Sequence, residues 1–263
     1  MRVVVFTSRP ALRQTTWWSA IHDTPEVTSV LLCERRAQDR SRALKLRKAI
    51  ARYGPLYIPW RILRITSSSG VGVPAPGGRE RASVSVHECD DINGPDVAAA
   101  ISAFAPDIGL SIGAPRLARS IFTLPRLGTL NLHLGKVPHY RGTTPAFWEM
   151  VHGESEVGAT IHFVTEELDG GPVLIADTAP IEHSDRLWDV EQRVSALGAA
   201  LIGPALKRIA AGAVDPVAQP AGFSVNPAPS VMDRARLAVS LFLRRARRRE
   251  SPSGAEARSS QSH

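Results

Sequence analysis

GTLNLHLGKVPHYRGTTPAFWEMVHGESEVGATIHFVTEELDGG, Gly128 to Gly171, sets three polar residues, Asn131, His133 and Asp169, among runs that read as buried structure. From Gly128 to Leu134 the pattern alternates at the strand period. Leu130, Leu132 and Leu134 share one face, and Asn131 and His133 share the other. An imidazole can move a proton near neutral pH, and an adjacent amide can donate to an oxygen that gains charge. A second strand, Gly158 to Val164, leads into the turn Leu168-Asp169-Gly170-Gly171, whose carboxylate could reach back to orient that imidazole. Taken alone, the same three residues also fit a capping Asn, a surface His and a turn Asp.

Working outward, the chain reads as α/β. Arg2 to Phe6 is a short β-branched strand, followed by a helix from Pro10 to about Ile21 and a second strand over Val27 to Cys33. Within that helix, one of the pair Trp17 and Trp18 could stack on a ring or simply fill the core. Ala82 to His87 is a further strand, and Asn93-Gly94-Pro95-Asp96 introduces a helix to about Phe104. Asp107 to Gly113 reads as a central strand ending at Ala114-Pro115-Arg116-Leu117. In open α/β sheets, ligands bind beyond such strand ends. Thr144 and Pro145 supply an N-cap and first-turn proline for a helix through Met150 or His152, with Phe147, Trp148 and Val151 facing the core. Val173 to Thr178 makes another strand. Asp185 is expected to cap a long helix to about Ala211, with a possible kink at Gly203-Pro204.

The expected organisation is a catalytic domain over 1–211, with an insertion and loop at 34–82, a proline-rich wrap over 212–230, and a basic helix and tail over 231–263. Within the insertion, Arg42 to Tyr53 reads as a basic helix followed by Gly54 to Ile65, the whole packing on the core or serving as a substrate lid, and Ser67 to Arg81 reads as a loop. The net charge is +7, and eight arginines against three acids from Val231 onward give +5 of it, leaving +2 for the rest. The basic end could touch an anionic membrane surface or nucleic acid, or stand as a solvated helix. No apolar run reaches membrane-spanning length, so a soluble cytoplasmic protein is expected. Cys33 and Cys89 lack metal-ligand spacing and read as buried thiols. His22, His87, His139, His152, His162, His183 and His263 form no metal spacing and read as structural or exposed.

Asn131-Leu132-His133, Pro138-His139-Tyr140-Arg141-Gly142, Thr160-Ile161-His162 and Leu168-Asp169-Gly170-Gly171, in that order, resemble the signature of the folate-dependent formyltransferases. The resemblance spans roughly residues 83–210, with residues 1–33 matching loosely. It implies a Rossmann-like, mostly parallel sheet and transfer of a formyl group from 10-formyltetrahydrofolate to an amine, without a metal. It further implies that Asn131 donates to the oxyanion, that His133 assists proton transfer, and that Asp169 orients His133. Arg116, Leu117, Glu167 and Leu168 become the folate candidates, and Lys136, Tyr140 and Arg141 the candidates for meeting the acceptor, with a structural Arg141 and a solvent-facing Lys136 as the alternatives. Gly135-Lys136-Val137-Pro138 stands where many members read Ser-Leu-Leu-Pro, which places a lysine beside the catalytic strand.

Thr7-Ser8-Arg9-Pro10 lacks the glycine-rich phosphate loop of the glycinamide ribonucleotide branch. Only about fifty residues follow the long helix, fewer than the second domain of the methionyl-tRNA branch. The resemblance therefore points to a small amine acceptor, a nucleotide-linked amino sugar, with no tRNA partner expected. Formyltetrahydrofolate deformylase and a non-catalytic binding protein of the same fold are the alternatives.

Overall fold

A computed structural model describes residues 1–8, 12, 15–36 and 82–250. The expected helix at Arg42–Tyr53, the segments Gly54–Ile65 and Ser67–Arg81, and the tail from Ser251 lie outside them. The described elements are β1 (Arg2–Thr7), α1 (Thr16–His22), β2 (Ser29–Arg35), β3 (Ser83–Cys89), α2 (Pro95–Phe104), β4 (Ile108–Ser111), α3 (Arg119–Phe122), β5 (Thr129–His133), α4 (Phe147–His152), β6 (Glu156–Phe163), β7 (Val173–Pro180), α5 (Leu187–Ala210) and α6 (Val231–Glu250). No described helix is long and apolar enough to cross a membrane.

The strands form one sheet in the order β3-β2-β1-β4-β5-β6-β7. β3 through β5 are parallel neighbours, and β6 and β7 add antiparallel to them. This is the mostly parallel α/β sheet expected from the sequence. Val3, Val4 and Val5 of β1 are fully buried, as a strand covered on both faces requires. Val3 and Val5 join the core that holds α1 and α5, while Val4 and Phe6 face α2 and α3. Trp17 Nε1 donates to the Ser195 carbonyl at 2.9 Å, tying α1 to α5. Gly198 of α5 lies over β5, where a Cβ would stand 2.8 Å from Leu134 Cδ2 and 3.1 Å from Leu132 Cδ1. Its missing side chain lets the helix approach the strand that carries Asn131 and His133.

Three helix starts differ from expectation. α1 begins at Thr16, capped by Thr15, rather than at Pro10. α4 begins after Ala146, buried and left-handed at φ 61°, rather than from a Thr144 cap. Phe147 N bonds to Pro145 O at 2.7 Å, so the chain makes a tight turn there before helical bonding begins. α5 begins after Arg186, whose N–H goes to Asp189 at 2.8 Å, whereas Asp185 pairs with Arg193 and accepts the Glu182 N–H at 2.7 Å. Gly203 and Pro204 lie inside α5. Of the two cysteines, both buried and free, Cys33 has its thiol pushed up to about 12 by burial.

Glu149 of α4 is buried alongside the helix's apolar residues. It is 1% exposed and its Oε1 is without a hydrogen-bond partner among the described residues. Burial pushes its carboxyl up to about 7, against the opposing pull of its own and Lys136's backbone N–H groups. Below the unfolded value of 4.5 both states hold the proton and no stability is lost. As pH rises from 4.5 to about 7 the unfolded chain ionises first, and stability declines through that window. Glu149→Gln removes the penalty. Urea denaturation should show a gain on the order of 1–3 kcal/mol at about pH 8 that is largely absent at about pH 4. A gain equal at both pH values would mean that ionisation is not its cause.

Candidate functional site

The C-terminal ends of β4 and β5 open into a cavity of about 510 Å³. Its walls include Ile112 to Leu117 after β4, Asn131 to Leu134 on β5, His162 on β6, and Glu167 to Asp169. The position is the one that the order of an open α/β sheet favours for a ligand.

The strand period carries Asn131 and His133 to this cavity, and antiparallel pairing with β6 sets His162 opposite Asn131 and Thr160 opposite His133. His133 Nε2 lies 2.7 Å from the Tyr140 carbonyl. A carbonyl can only accept, so Nε2 carries a proton, and Nδ1 is the nitrogen that faces Asp169 Oδ2, at 3.6 Å. Gly135 makes room for this bond, since a Cβ there would stand 2.5 Å from Tyr140 O and 2.6 Å from His133 Nε2. The Gly135 that departs from the familiar Ser-Leu-Leu-Pro text thus has a local steric reason.

His162 Nδ1 lies 2.9 Å from the Phe163 carbonyl and is protonated by the same argument, which leaves Nε2 as an acceptor. Asn131 Nδ2 reaches that Nε2 at 3.2 Å and Asp169 Oδ1 at 3.4 Å. Both amide hydrogens are therefore engaged, each by a long bond. Asp169 Oδ2 also accepts the Gly142 N–H at 2.9 Å. Asp169 itself is left-handed at φ 51° and 9% exposed.

Burial works against ionising Asp169, but His162, His133 and the Gly142 N–H outweigh it and hold the carboxyl below its ordinary value. Burial also dominates at His133, where it pushes the imidazole below 6.5 despite the attraction of Asp169 and the Tyr140 carbonyl. The site at rest thus holds an anionic carboxylate beside a neutral imidazole at pH 7.

Arg116, Leu117, Glu167 and Leu168 line the cavity. Arg116 donates to the Glu166 carbonyl, and its own carbonyl accepts from Asn93 Nδ2 at 3.1 Å. The three residues expected to meet an acceptor stand elsewhere. Lys136 Nζ pairs with Glu154 Oε2 at 2.6 Å, and the Tyr140 hydroxyl donates to Glu154 Oε1 at 2.8 Å, because their loop packs back on the end of α4. The Arg141 side chain is 1% exposed and its guanidinium meets Glu167, Gln219 and the Phe223 carbonyl. A buried guanidinium so partnered is a structural brace. Of these three, Tyr140 serves the site through its carbonyl.

His162 belongs to the centre, although a search for metal-ligand spacing set it aside. Its signal in the sequence was the strand alternation that pairs it with Thr160 on one face. Among the described residues no group of three or more His, Cys, Asp or Glu could hold a metal ion.

Residues 86–206 match the formyl transferase family. The methionyl-tRNA formyltransferase of Chlorobium chlorochromatii is 32% identical over 126 residues, which are 48% of this chain and 40% of that protein. The methionyl-tRNA formyltransferase of Trichlorobacter lovleyi is 34% identical over 140 residues, 53% of this chain and 44% of that protein. The chain thus spans less than half the length of these curated relatives. Among solved structures, a sugar N-formyltransferase from Shewanella superposes with a TM-score of 0.59 at 14% identity, covering 90% of this chain and 86% of that one. Phosphoribosylglycinamide formyltransferase from Bacillus halodurans gives 0.56 at 16% identity, covering 81% of this chain and 97% of that one. At these identities the likeness shows the fold. The curated relatives overturn the expectation that tRNA has no place among partners. That expectation rested on the length of chain after α5, and a chain covering under half of such relatives gives no ground for it.

Both ionisable groups of the centre disfavour acid. His133, depressed, loses stabilisation as pH falls from 6.5 through its folded value, and Asp169 does so below 3.8. Asp169→Asn removes the charge that favours the His133 cation. Imidazole NMR titration should then place the His133 midpoint lower still than in the wild type, and an unchanged midpoint would show the two groups to be uncoupled.

Proposed function

We propose that this chain, whose residues 86–206 match the formyl transferase family, transfers the formyl group of 10-formyltetrahydrofolate to a primary amine. The convergence of Asn131, His133 and Asp169 on one cavity carries this reading.

The cavity fits the donor. Its volume lies in the range of ligand pockets, and Ile112, Leu117, Val164 and Leu168 offer apolar surface to a flat heterocycle beside the backbone of 113–115. When bound, the donor supplies an activated formyl carbon. Asn131 gives up its 3.4 Å bond to Asp169 and donates to the formyl oxygen as charge gathers there. As the amine nitrogen bonds to the formyl carbon, His133 Nδ1 takes up its proton and passes it to the folate nitrogen, whose bond to the formyl carbon breaks to release tetrahydrofolate. Asp169 keeps the imidazole oriented and stabilises its cation while the proton is held.

For the acceptor, we infer a nucleotide-linked amino sugar. The Tyr140-Arg141-Gly142 and Phe147-Trp148 text, and the absence of a glycine-rich phosphate loop after β1, support it over glycinamide ribonucleotide. The curated relatives favour a second reading, the amino group of methionyl-tRNA.

Tetrahydrofolate release from 10-formyltetrahydrofolate, followed with amino-sugar nucleotides, with methionyl-tRNA and with water alone, separates these readings. Release is expected to require an amine. His133→Ala and Asn131→Ala should each lower turnover by about a hundredfold to a thousandfold. Release with water alone would make the protein a deformylase, and failure to bind the folate would leave a binding protein of this fold.

A further inference from the structure

The segment from Gly212 to Ser230 between α5 and α6 is irregular and proline-punctuated, yet one of its side chains reaches back to the reactive centre. Gln219 Nε2 donates to the Asp169 carbonyl at 2.9 Å and to the Gly171 carbonyl at 2.7 Å. Two carbonyls at one nitrogen assign that atom as the amide NH₂. Gln219 Oε1 therefore accepts, from Arg141 Nη2 at 2.9 Å and Nε at 3.3 Å. Arg141 in turn reaches Glu167, just ahead of Asp169, and the next residue gives its N–H to Asp169 Oδ2. Two residues before Gln219, Val217 exchanges both backbone bonds with Val173 at 2.8 Å, which sets the register of the strap on β7.

Asp169 needs such a hold. A left-handed backbone is unfavourable for a residue with a Cβ, and the turn relaxes unless its surroundings fix it. Gln219 clasps both carbonyls of the turn and, through Arg141, the loop that supplies the Gly142 N–H.

Resting on the formyl-transfer reading, we propose that Gln219 is a positioning residue that holds the Asp169 carboxylate against His133. It lies outside the cavity and touches neither the donor nor the acceptor.

Gln219→Glu keeps a partner for Arg141 but sets an acceptor against two carbonyls, and Gln219→Met keeps the length without either bond. Both are expected to lower kcat about tenfold to a hundredfold, the scale of an ångström-sized misplacement, with KM for 10-formyltetrahydrofolate changing by less than about threefold. Imidazole NMR supplies a readout that does not depend on turnover. The charged and polar groups facing His133 are Asp169, His162, Arg141 and the Tyr140 carbonyl, and of these Asp169 gives the largest push toward the cation. Withdrawal of the carboxylate should therefore move the His133 midpoint to lower pH in both variants, as Asp169→Asn does.

Should Gln219→Met fail to fold, Gln219→Glu carries the test. A Glu variant with wild-type turnover and midpoint would overturn the proposal, since the brace on Arg141 alone would then suffice. So would a lower melting temperature with an unmoved midpoint, or a raised KM with kcat intact. A shifted midpoint in a protein whose wild type transfers no formyl group would uphold the positioning role and sink the formyl-transfer reading instead.

Discussion

The structure around the cavity depends on keeping one carboxylate charged away from water. Asp169 is 9% exposed, and an anion so placed persists only when its oxygens are met by donors and cations. Oδ1 has the Asn131 amide and lies near His162, while Oδ2 has the Gly142 N–H and lies near His133. These partners come from β5, from β6 and from the loop ahead of α4. The sheet, the loop and the strap must all be in place before the carboxylate can stand where it does. The residues around Asp169 are themselves held, His133 by the Tyr140 carbonyl and His162 by the Phe163 carbonyl.

The cavity has a front and a back, and the loop from Gly135 to Gly142 joins them. In front it offers the Tyr140 carbonyl to His133 and the Gly142 N–H to Asp169. Behind, Lys136, Tyr140 and Glu154 form a polar knot whose ion pair is 2.6 Å long. Side chains on this loop thus fasten it to α4 while its backbone serves the centre. A residue type that looks suited to an acceptor can therefore be spent on holding a carbonyl still. Glu154, which takes both the ammonium and the phenol, has its carboxyl held below its ordinary value by those two bonds.

The strands were legible because their signal is local. β-branched runs and period-two alternation mark β1, β2, β4, β5 and β6 in the text, and the face shared by Asn131 and His133 follows from counting by twos. What could not be read were facts of tertiary contact. His162 joins the centre through the antiparallel register that sets it opposite Asn131, and no spacing along the chain records that register. Arg141 and Gln219 are 78 positions apart, so a guanidinium that reads as a substrate ligand becomes a brace only once the strap has folded back. Ala146 in a left-handed conformation has no residue-type signal at all, since glycine or asparagine is what such a position ordinarily selects.

The reversal of direction between β5 and β6 accounts for the shape of the loop that follows. After the loop and α4, β6 returns antiparallel along β5, and this register sets His162 beside Asn131. The consequence is that β6 ends beside Thr129, with Val164 N bonded to Thr129 O at 2.7 Å, at the far end of β5 from His133. For a carboxylate beyond β6 to reach His133, the chain must turn back over the face of the sheet. The excursion from Val164 to Gly171 does this, and Phe163 N closes its neck on Pro172 O at 2.9 Å. A tight excursion with a fixed neck has few conformations that place a side chain inward at its apex, and the one found here requires the left-handed Asp169. Asp169 takes a left-handed backbone within this excursion. The contacts made by Asn131, Gly142 and Gln219 are what hold it there.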